Sequence, residues 1–206
     1  MKASSRFVAW RLLALSLLFT SVAVGCLGPQ DPKDLPFRSG TIDLRADGSR
    51  ERALLATPAV LDGYPCDGWV MWHDNGVLMS FDLSTDHELS GHRLPARTRV
   101  FLDRAGRLAH AWLPRDTRVG PYVCRGGMKI DTAFHPDGSL KAFFPPDDLV
   151  IDGVTCEASV FHPIYLHPNG RLWKARVAVD VIAGERHYAA GSDIELSGSP
   201  PYPTVR

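Results

Sequence analysis

The sequence predicts an all-β domain, an elongated antiparallel meander of five β-hairpin repeats of about 30 residues each. Three observations lead to this fold class. A turn motif that ends in glycine recurs at a nearly fixed interval, a second glycine follows each copy, and no part of the repeat region shows helical periodicity. The 18 glycines and 16 prolines of the chain would also interrupt most helices drawn through it.

The turn motif defines the repeat unit. Its five copies read RADG, HDNG, DRAG, HPDG and HPNG, and successive copies lie 28, 30, 32 and 32 residues apart. They end at Gly48, Gly76, Gly106, Gly138 and Gly170. The second glycine follows 14 or 15 positions later, at Gly63, Gly91, Gly120, Gly153 and Gly184. Two registered glycine columns indicate a repeat domain, which we assign to residues 41–190.

Apolar columns on both sides of the turn glycine predict that each unit begins with a hairpin. Six residues before the glycine the column reads Ile42, Val70, Val100, Thr132 and Ile164. Four residues before it stand Leu44, Trp72, Leu102, Phe134 and Leu166. Two residues after it stand Arg50, Leu78, Leu108, Leu140 and Leu172. A period of two is expected for half-buried strands. Proline, Asp or Asn, and glycine in the turn suit a type I turn with a glycine bulge, which predicts positive φ at Gly138 and Gly170.

Two polar columns accompany the hairpins. One turn position carries His73, His135 and His167, and the other two units place Arg45 and Asp103 there. Because this position accepts opposite charges, we interpret the histidines as structural, with a transition-metal site or a pH-sensitive surface as alternatives. After the second strand comes an aspartate column, Asp86, Asp116, Asp148 and Asp180. We interpret these aspartates as turn caps, with a row of calcium sites as the alternative. Beyond the second glycine of each unit we expect a third short extended segment.

Three cysteines of the repeat region distinguish a meander from the alternative fold, a β-solenoid. Cys66 and Cys156 lie three residues after the second glycine and Cys124 four residues after it, in a slot that Leu94 and His187 fill in the other two units. In a meander, equivalent residues of neighbouring units lie about 9.5 to 14 Å apart, too far for a disulfide. In a solenoid they lie about 4.8 Å apart, and Cys124 could bond to Cys156. The tight hairpins favour the meander, with unpaired thiols that behave as small buried hydrophobes.

These hairpin units resemble the MORN-like and MORN-variant repeat proteins. The resemblance covers roughly residues 42 to 190 and rests on the [HD]xxG turns and the downstream glycine column. The chain departs from the standard repeat in its longer unit and in lacking the YxGxxxxGxxxG pattern. The resemblance implies an elongated sheet that acts as a lipid or protein scaffold.

The N-terminal segment is predicted to be a lipoprotein signal peptide, residues 1–25. A basic start with Lys2 and Arg6 precedes an apolar run that leads to Ala23-Val24-Gly25-Cys26. This ending resembles the bacterial lipobox, which implies lipidation of Cys26 and cleavage before it; an ordinary cleaved signal is the alternative. Residues 26–40 then read as the lipidated cysteine and a flexible tether, and residues 191–206 as a Pro/Gly/Ser-rich tail. Leu27, by resemblance to enteric lipoproteins, suggests the outer membrane.

The charge balance and the motifs of the chain limit which classes of function it is expected to have. Removal of the three basic leader residues from 23 leaves 20 basic against 23 acidic side chains, a formal net charge of −3, which argues against nucleic acid as a partner. The motifs GxSxG, HExxH, CxxC and GxxxxGK[ST] do not occur in the chain. We therefore predict a protein that is not an enzyme and needs no cofactor. The alternative is an envelope hydrolase or metal-dependent enzyme whose site is built from non-equivalent loops.

The predicted function is that of a lipid-anchored, non-enzymatic binding or scaffolding surface in the cell envelope. Its expected partners are the membrane, through the anchor at Cys26, and an envelope protein or glycan. The candidate binding residues are the aromatic side chains Trp69, Tyr165, Trp173 and Tyr188, with core packing as the alternative role for each.

Overall fold

The computed structural model describes residues 36–127 and 129–197, which form twenty β-strands and, within those ranges, no helix. The strands are β1 (Asp43–Leu44), β2 (Arg50–Leu54), β3 (Ala59–Leu61), β4 (Tyr64–Trp72), β5 (Leu78–Leu83), β6 (His87–Leu89), β7 (His92–Leu94), β8 (Arg99–Leu102), β9 (Leu108–Trp112), β10 (Thr117–Val119), β11 (Tyr122–Cys124), β12 (Asp131–Phe134), β13 (Leu140–Phe143), β14 (Leu149–Ile151), β15 (Val154–Cys156), β16 (Ile164–Leu166), β17 (Leu172–Arg176), β18 (Val181–Ala183), β19 (Arg186–Tyr188) and β20 (Asp193–Glu195). In this part of the chain no helix could cross a membrane.

Twelve strands form one long antiparallel sheet, called here the main sheet. Its order is β1-β2-β4-β5-β8-β9-β12-β13-β16-β17-β20, and β3 pairs with β4 beside this path. Consecutive strands of the path are neighbours, so the predicted all-β antiparallel meander is confirmed. The tight hairpins are β1–β2, β4–β5, β8–β9, β12–β13 and β16–β17, one for each repeat.

The turn glycines adopt the conformation that the turn chemistry predicts. All five lie at positive φ, between 77° and 86°, and Gly138 and Gly170 have φ of 86° and 79°. In each turn the glycine N–H donates to the carbonyl three residues earlier, as Gly138 does to His135 O at 2.9 Å. The strand register shifts beside every one of these turns. A type I turn followed by a bulge accounts for all three features.

The third extended segment of each unit is not a single strand, because it folds into a second, small hairpin. The small hairpins are β3 with the start of β4, β6–β7, β10–β11, β14–β15 and β18–β19. Their two-residue turns contain the second glycine column. At Asp62-Gly63, Ser90-Gly91 and Asp152-Gly153 both residues have positive φ, which is the type I′ turn that matches the twist of paired strands.

The small hairpins cover one face of the main sheet, called here the inner face. The Tyr64 ring stacks on Phe81 with centroids 5.1 Å apart, and the Tyr122 ring stacks on Phe143 at 5.2 Å. In both pairs, the small hairpin of one unit packs on the tight hairpin of the next. Small-hairpin and main-sheet residues join in one buried cluster. A single unit therefore cannot bury its own apolar face, as expected for repeat proteins.

Candidate binding site on the outer face

The opposite side of the main sheet, called here the outer face, carries an open cleft of about 420 Å³. Strand alternation turns Val70, Phe81 and Val100 toward the buried inner face. Their neighbours along the strands therefore face outward. The cleft is lined by side chains of β2, β4, β5, β8 and β9 and of the segment before β12, among them Arg52, Trp69, Asp82, Arg99, Trp112 and Lys129.

The floor of the cleft is an ion pair held in a fixed position. Arg99 Nη1 lies 3.1 Å from Asp82 Oδ2 and donates to the backbone carbonyl of Trp69 at 2.7 Å. Its Nη2 donates to Ser80 Oγ at 3.1 Å. Burial raises the pKa of Asp82, Arg99 opposes this shift, and the facing carboxylate of Asp67 adds to it. A half-buried carboxylate with a perturbed pKa in a cleft is typical of functional sites.

Two indole rings contribute the walls of the cleft. Trp69 has 41% of its surface exposed, and the Arg52 guanidinium lies over its ring, 5.4 Å from the centroid. Trp112 is braced by the Phe101 ring at 4.7 Å in an edge-to-face arrangement, and Lys129 Nζ lies 5.6 Å from its centroid. Each wall thus combines an aromatic surface with a cation, which holds the ring in place while leaving polar donors at the rim.

Arg97 extends the site at one end and has a strained backbone. It lines two adjoining depressions of about 310 and 290 Å³, one shared with Trp112 and Lys129, the other with Asp82. Its φ is 68°, in the left-handed region, which costs a non-glycine residue about 1 kcal/mol. The equivalent residues of two other units are Gly127 and Gly191, with φ of 82° and 78°.

Identical backbone hydrogen bonds establish this equivalence. Arg97 N donates to Leu83 O at 2.7 Å, Gly127 N to Leu113 O at 2.7 Å, and Gly191 N to Val177 O at 2.8 Å. The position therefore suits glycine, and in the second unit an arginine occupies it instead.

Of the four aromatic residues predicted from the sequence, the cleft contains Trp69. Tyr165 and Trp173 lie together elsewhere, with ring centroids 5.7 Å apart, and Trp173 Nε1 donates to Glu195 Oε1 at 3.2 Å. Tyr188 packs against the core from a small hairpin. Sequence reasoning missed Trp112, although its alternation with the buried Ala111 in β9 was a usable signal.

The histidine column fastens neighbouring units to each other. His73 Nε2 lies 2.9 Å from Leu102 O, His135 Nε2 lies 2.9 Å from Leu166 O, and His167 Nε2 lies 3.0 Å from Leu196 O. Because a carbonyl only accepts, Nε2 carries the proton in each case. Arg45 makes the same contact, donating to Trp72 O. Four of the five units thus place a donor at this position that reaches the next unit, whereas Asp103 accepts from Ala105 N and Arg107 N in its own turn.

The aspartate column closes the base of the small hairpins. In every case Oδ1 accepts from a backbone N–H ten residues later, at distances of 2.7 to 2.9 Å: Asp86 from Ala96, Asp116 from Gly126, Asp148 from Ala158 and Asp180 from Ala190. The column thus acts across a whole hairpin and not only within a turn. The described ranges contain no group of three or more His, Cys, Asp or Glu side chains that could hold a metal ion.

The three cysteines of the small hairpins are fully buried and unpaired, as the meander predicts. Burial raises the pKa of the Cys66, Cys124 and Cys156 thiols to about 12. The reactive thiolate is therefore scarce near neutral pH, and these residues serve as apolar packing groups.

Comparison with family models, with curated proteins and with solved structures gives no match to this chain. The predicted signal peptide (residues 1–25), Cys26 and most of the tether lie outside the described residues, as does the end of the predicted tail from residue 198 onward.

Proposed function

We propose that the protein is a lipid-anchored component of the cell envelope whose outer face is a non-enzymatic binding surface. One observation carries the proposal: the inner face of the main sheet is buried under the small hairpins, whereas the outer face holds a cleft lined by two tryptophans and several cations. Concave sites with aromatic walls and a few fixed polar groups are typical of ligand binding.

The chemistry of the cleft supports binding better than catalysis. Its carboxylate, Asp82, is already engaged by Arg99, and the described cysteines lie buried on the other side of the sheet. A hydrolase would need a nucleophile and a base within hydrogen-bond reach of each other. In the described lining of the cleft only Asp82 and Lys129 could take these roles, and Lys129 Nζ lies over the Trp112 ring. The MORN-like resemblance of the repeats agrees with a scaffold or binding role.

The anchor is part of the same proposal and has its own test. Lipid at Cys26 would hold the domain at a membrane, which the lipobox resemblance suggests is the outer membrane. We expect metabolic labelling with a palmitate analogue to mark the wild-type protein, and Cys26→Ser to abolish the label and leave unprocessed precursor. Continued labelling of Cys26→Ser would contradict the anchor.

Site-specific photo-crosslinking in isolated cell envelopes tests the binding surface. A benzophenone amino acid would replace Trp69 in the cleft or, as the matched control, Val150, which is 62% exposed on a small hairpin. We expect an adduct from the cleft position that excess purified mature protein suppresses, and none from position 150. Equal adducts from both positions, or none from the cleft, would contradict the proposal.

A further inference from the structure

We propose that the cleft binds a saccharide that carries an acidic group, with the anion held by Arg97 and Lys129 and the sugar ring placed against the indoles of Trp69 and Trp112. This inference rests on the proposed function of the outer face and names the chemical class of its ligand.

Charge is the first argument. The cleft and its two adjoining depressions are lined by four cations, Arg52, Arg97, Arg99 and Lys129, and by two carboxylates, Asp67 and Asp82, a formal net charge of +2. The chain without its predicted leader has a net charge of −3, so the cleft is a positive region of an acidic protein. A concave region of one sign concentrates ligands of the opposite sign.

Two of the four cations have no carboxylate partner among the described residues. Arg52 is paired with Asp43, and Arg99 is paired with Asp82. Arg97 and Lys129 form no ion pair with any described residue, although both line the same depression beside Trp112. An anion placed between them would gain two charge-assisted contacts without breaking an existing pair.

Backbone strain at Arg97 is an independent argument. Arginine keeps a left-handed φ of 68° where the equivalent positions carry Gly127 and Gly191, so its side chain is present at a cost to stability. Its side chain is exposed, so burial of that side chain does not compensate for this cost. Strain of this kind concentrates at ligand sites, where the side chain is needed for binding and not for folding.

The other groups in the cleft match a saccharide better than an acidic peptide. Beside their contacts with Arg52 and Lys129, the two indoles offer flat apolar surface for the C–H faces of a sugar ring. The carboxylates of Asp67 and Asp82 can accept from its hydroxyl groups. The strands beneath the cleft, β4, β5, β8 and β9, are paired on both sides. An extended peptide would therefore find no free strand edge there to which it could add.

Titration of the full mature protein in detergent micelles tests the ligand class, with tryptophan fluorescence as the readout. The probes are trigalacturonate, its uncharged methyl ester, a bisphosphorylated glucosamine disaccharide and hexaglutamate. We expect at least one acidic saccharide to bind roughly tenfold or more tightly than the methyl ester and hexaglutamate. The two saccharides show whether a uronate or a sugar phosphate supplies the anion. Tighter binding of hexaglutamate, or equal binding of the methyl ester, would overturn the proposal.

Arg97→Gly gives the sharpest test, because the two effects of the substitution run in opposite directions. We expect affinity for the acidic saccharide to fall about tenfold while the melting temperature rises or stays unchanged, since glycine relieves the strain. Lys129→Gln should weaken binding similarly, and Arg118→Gln, an exposed arginine of a small hairpin, should not. Unchanged affinity in Arg97→Gly and Lys129→Gln would contradict the assignment.

The outcomes also separate this inference from the proposed function. If no acidic saccharide binds but the crosslink from position 69 persists, the ligand class is wrong and the outer face is still a binding surface. If the crosslink is also absent, both proposals fail.

Discussion

The two faces of the main sheet follow different rules. On the inner face each repeat presents apolar side chains, such as Val70, Val100 and Ile164, to the small hairpin of its neighbour. On the outer face the repeats differ: seven residues before the turn glycine, for example, one unit carries Trp69 and the next carries Arg99. A residue type that recurs at the same position in every unit serves the fold, whereas a residue type found at that position in one unit can serve a specific function.

The largest expected difference between the faces is their tolerance of truncation. Phe81→Ala removes a ring that is 0% exposed and stacked on Tyr64, so it should destabilise the protein by about 3 to 5 kcal/mol. Trp69→Ala, on the outer face, should cost no more than about 1 kcal/mol because this residue is 41% exposed. Urea unfolding of both variants measures this, and similar losses would show that the outer face also belongs to the core.

The turn glycines offer a sharper comparison within one column. Gly138→Ala and Gly170→Ala impose the same strain of about 1 kcal/mol at positive φ. A Cβ at position 138 would also lie 2.9 Å from Ser90 Cβ, whereas at position 170 it meets no described atom within 4 Å. We expect Gly138→Ala to be the more destabilising by about 1 kcal/mol in thermal unfolding. Equal losses would mean that the small hairpin does not reach this turn.

The aspartate column predicts a contrast between adjacent residues. Asp148→Ala removes the acceptor for Ala158 N–H at the base of a small hairpin and should cost about 1 kcal/mol. Asp147→Ala is the matched control, since this exposed neighbour forms no such bond in the described structure. Chemical denaturation of the two variants should separate them, and a loss of equal size in Asp147→Ala would refute the base contact.

The smallest effect is expected at an exposed ion pair of the outer face. His110 Nδ1 lies 2.8 Å from Asp131 Oδ2, and this hydrogen bond, against a smaller effect of burial, raises the pKa of His110. Because the pKa of His110 is higher in the folded than in the unfolded protein, the pair stabilises the fold fully at pH values below the unfolded pKa of about 6.5. This contribution is lost as the pH rises through the folded-state pKa. Because both side chains are about half exposed, we expect only a few tenths of a kcal/mol.

The control for this pH effect is His110→Gln, which should flatten the stability profile between pH 6 and 8 relative to the wild type. A high salt concentration should reduce the wild-type slope by screening the pair. A variant whose profile overlays the wild-type curve would show that the pair does not contribute.

The five tight hairpins could be predicted from the sequence because their signals are local. HPDG and HPNG specify a turn, and Leu140 or Leu172 specifies which face is buried. The small hairpins were missed, although the dipeptides Asp62-Gly63 and Asp152-Gly153 are strong two-residue turn signals. Small-hairpin strands such as β3 and β14 have only three residues, too few for the alternation of buried and exposed side chains to be visible in the sequence.

The cleft could be predicted only in part because its residues come from different units. Trp69 and Trp112 lie on strands β4 and β9, which are separated in the sheet by β5 and β8. Which side chains meet there depends on the register of three strand pairs. The turns of two tight hairpins set two of these registers, but no tight turn sets the register of β5 with β8. The strain at Arg97 was likewise invisible, since only the backbone angle distinguishes it from an ordinary surface arginine.

Thiol labelling tests most directly the central claim that the small hairpins pack as a layer over the inner face of the main sheet. The unreduced mature protein would be alkylated before and after denaturation, and the masses of the peptides that contain Cys66, Cys124 and Cys156 would be measured by mass spectrometry. We expect no modification of the three thiols in the folded protein and complete modification after unfolding, because all three are buried and unpaired. Rapid labelling of the folded protein, or a bond between Cys124 and Cys156, would contradict this arrangement.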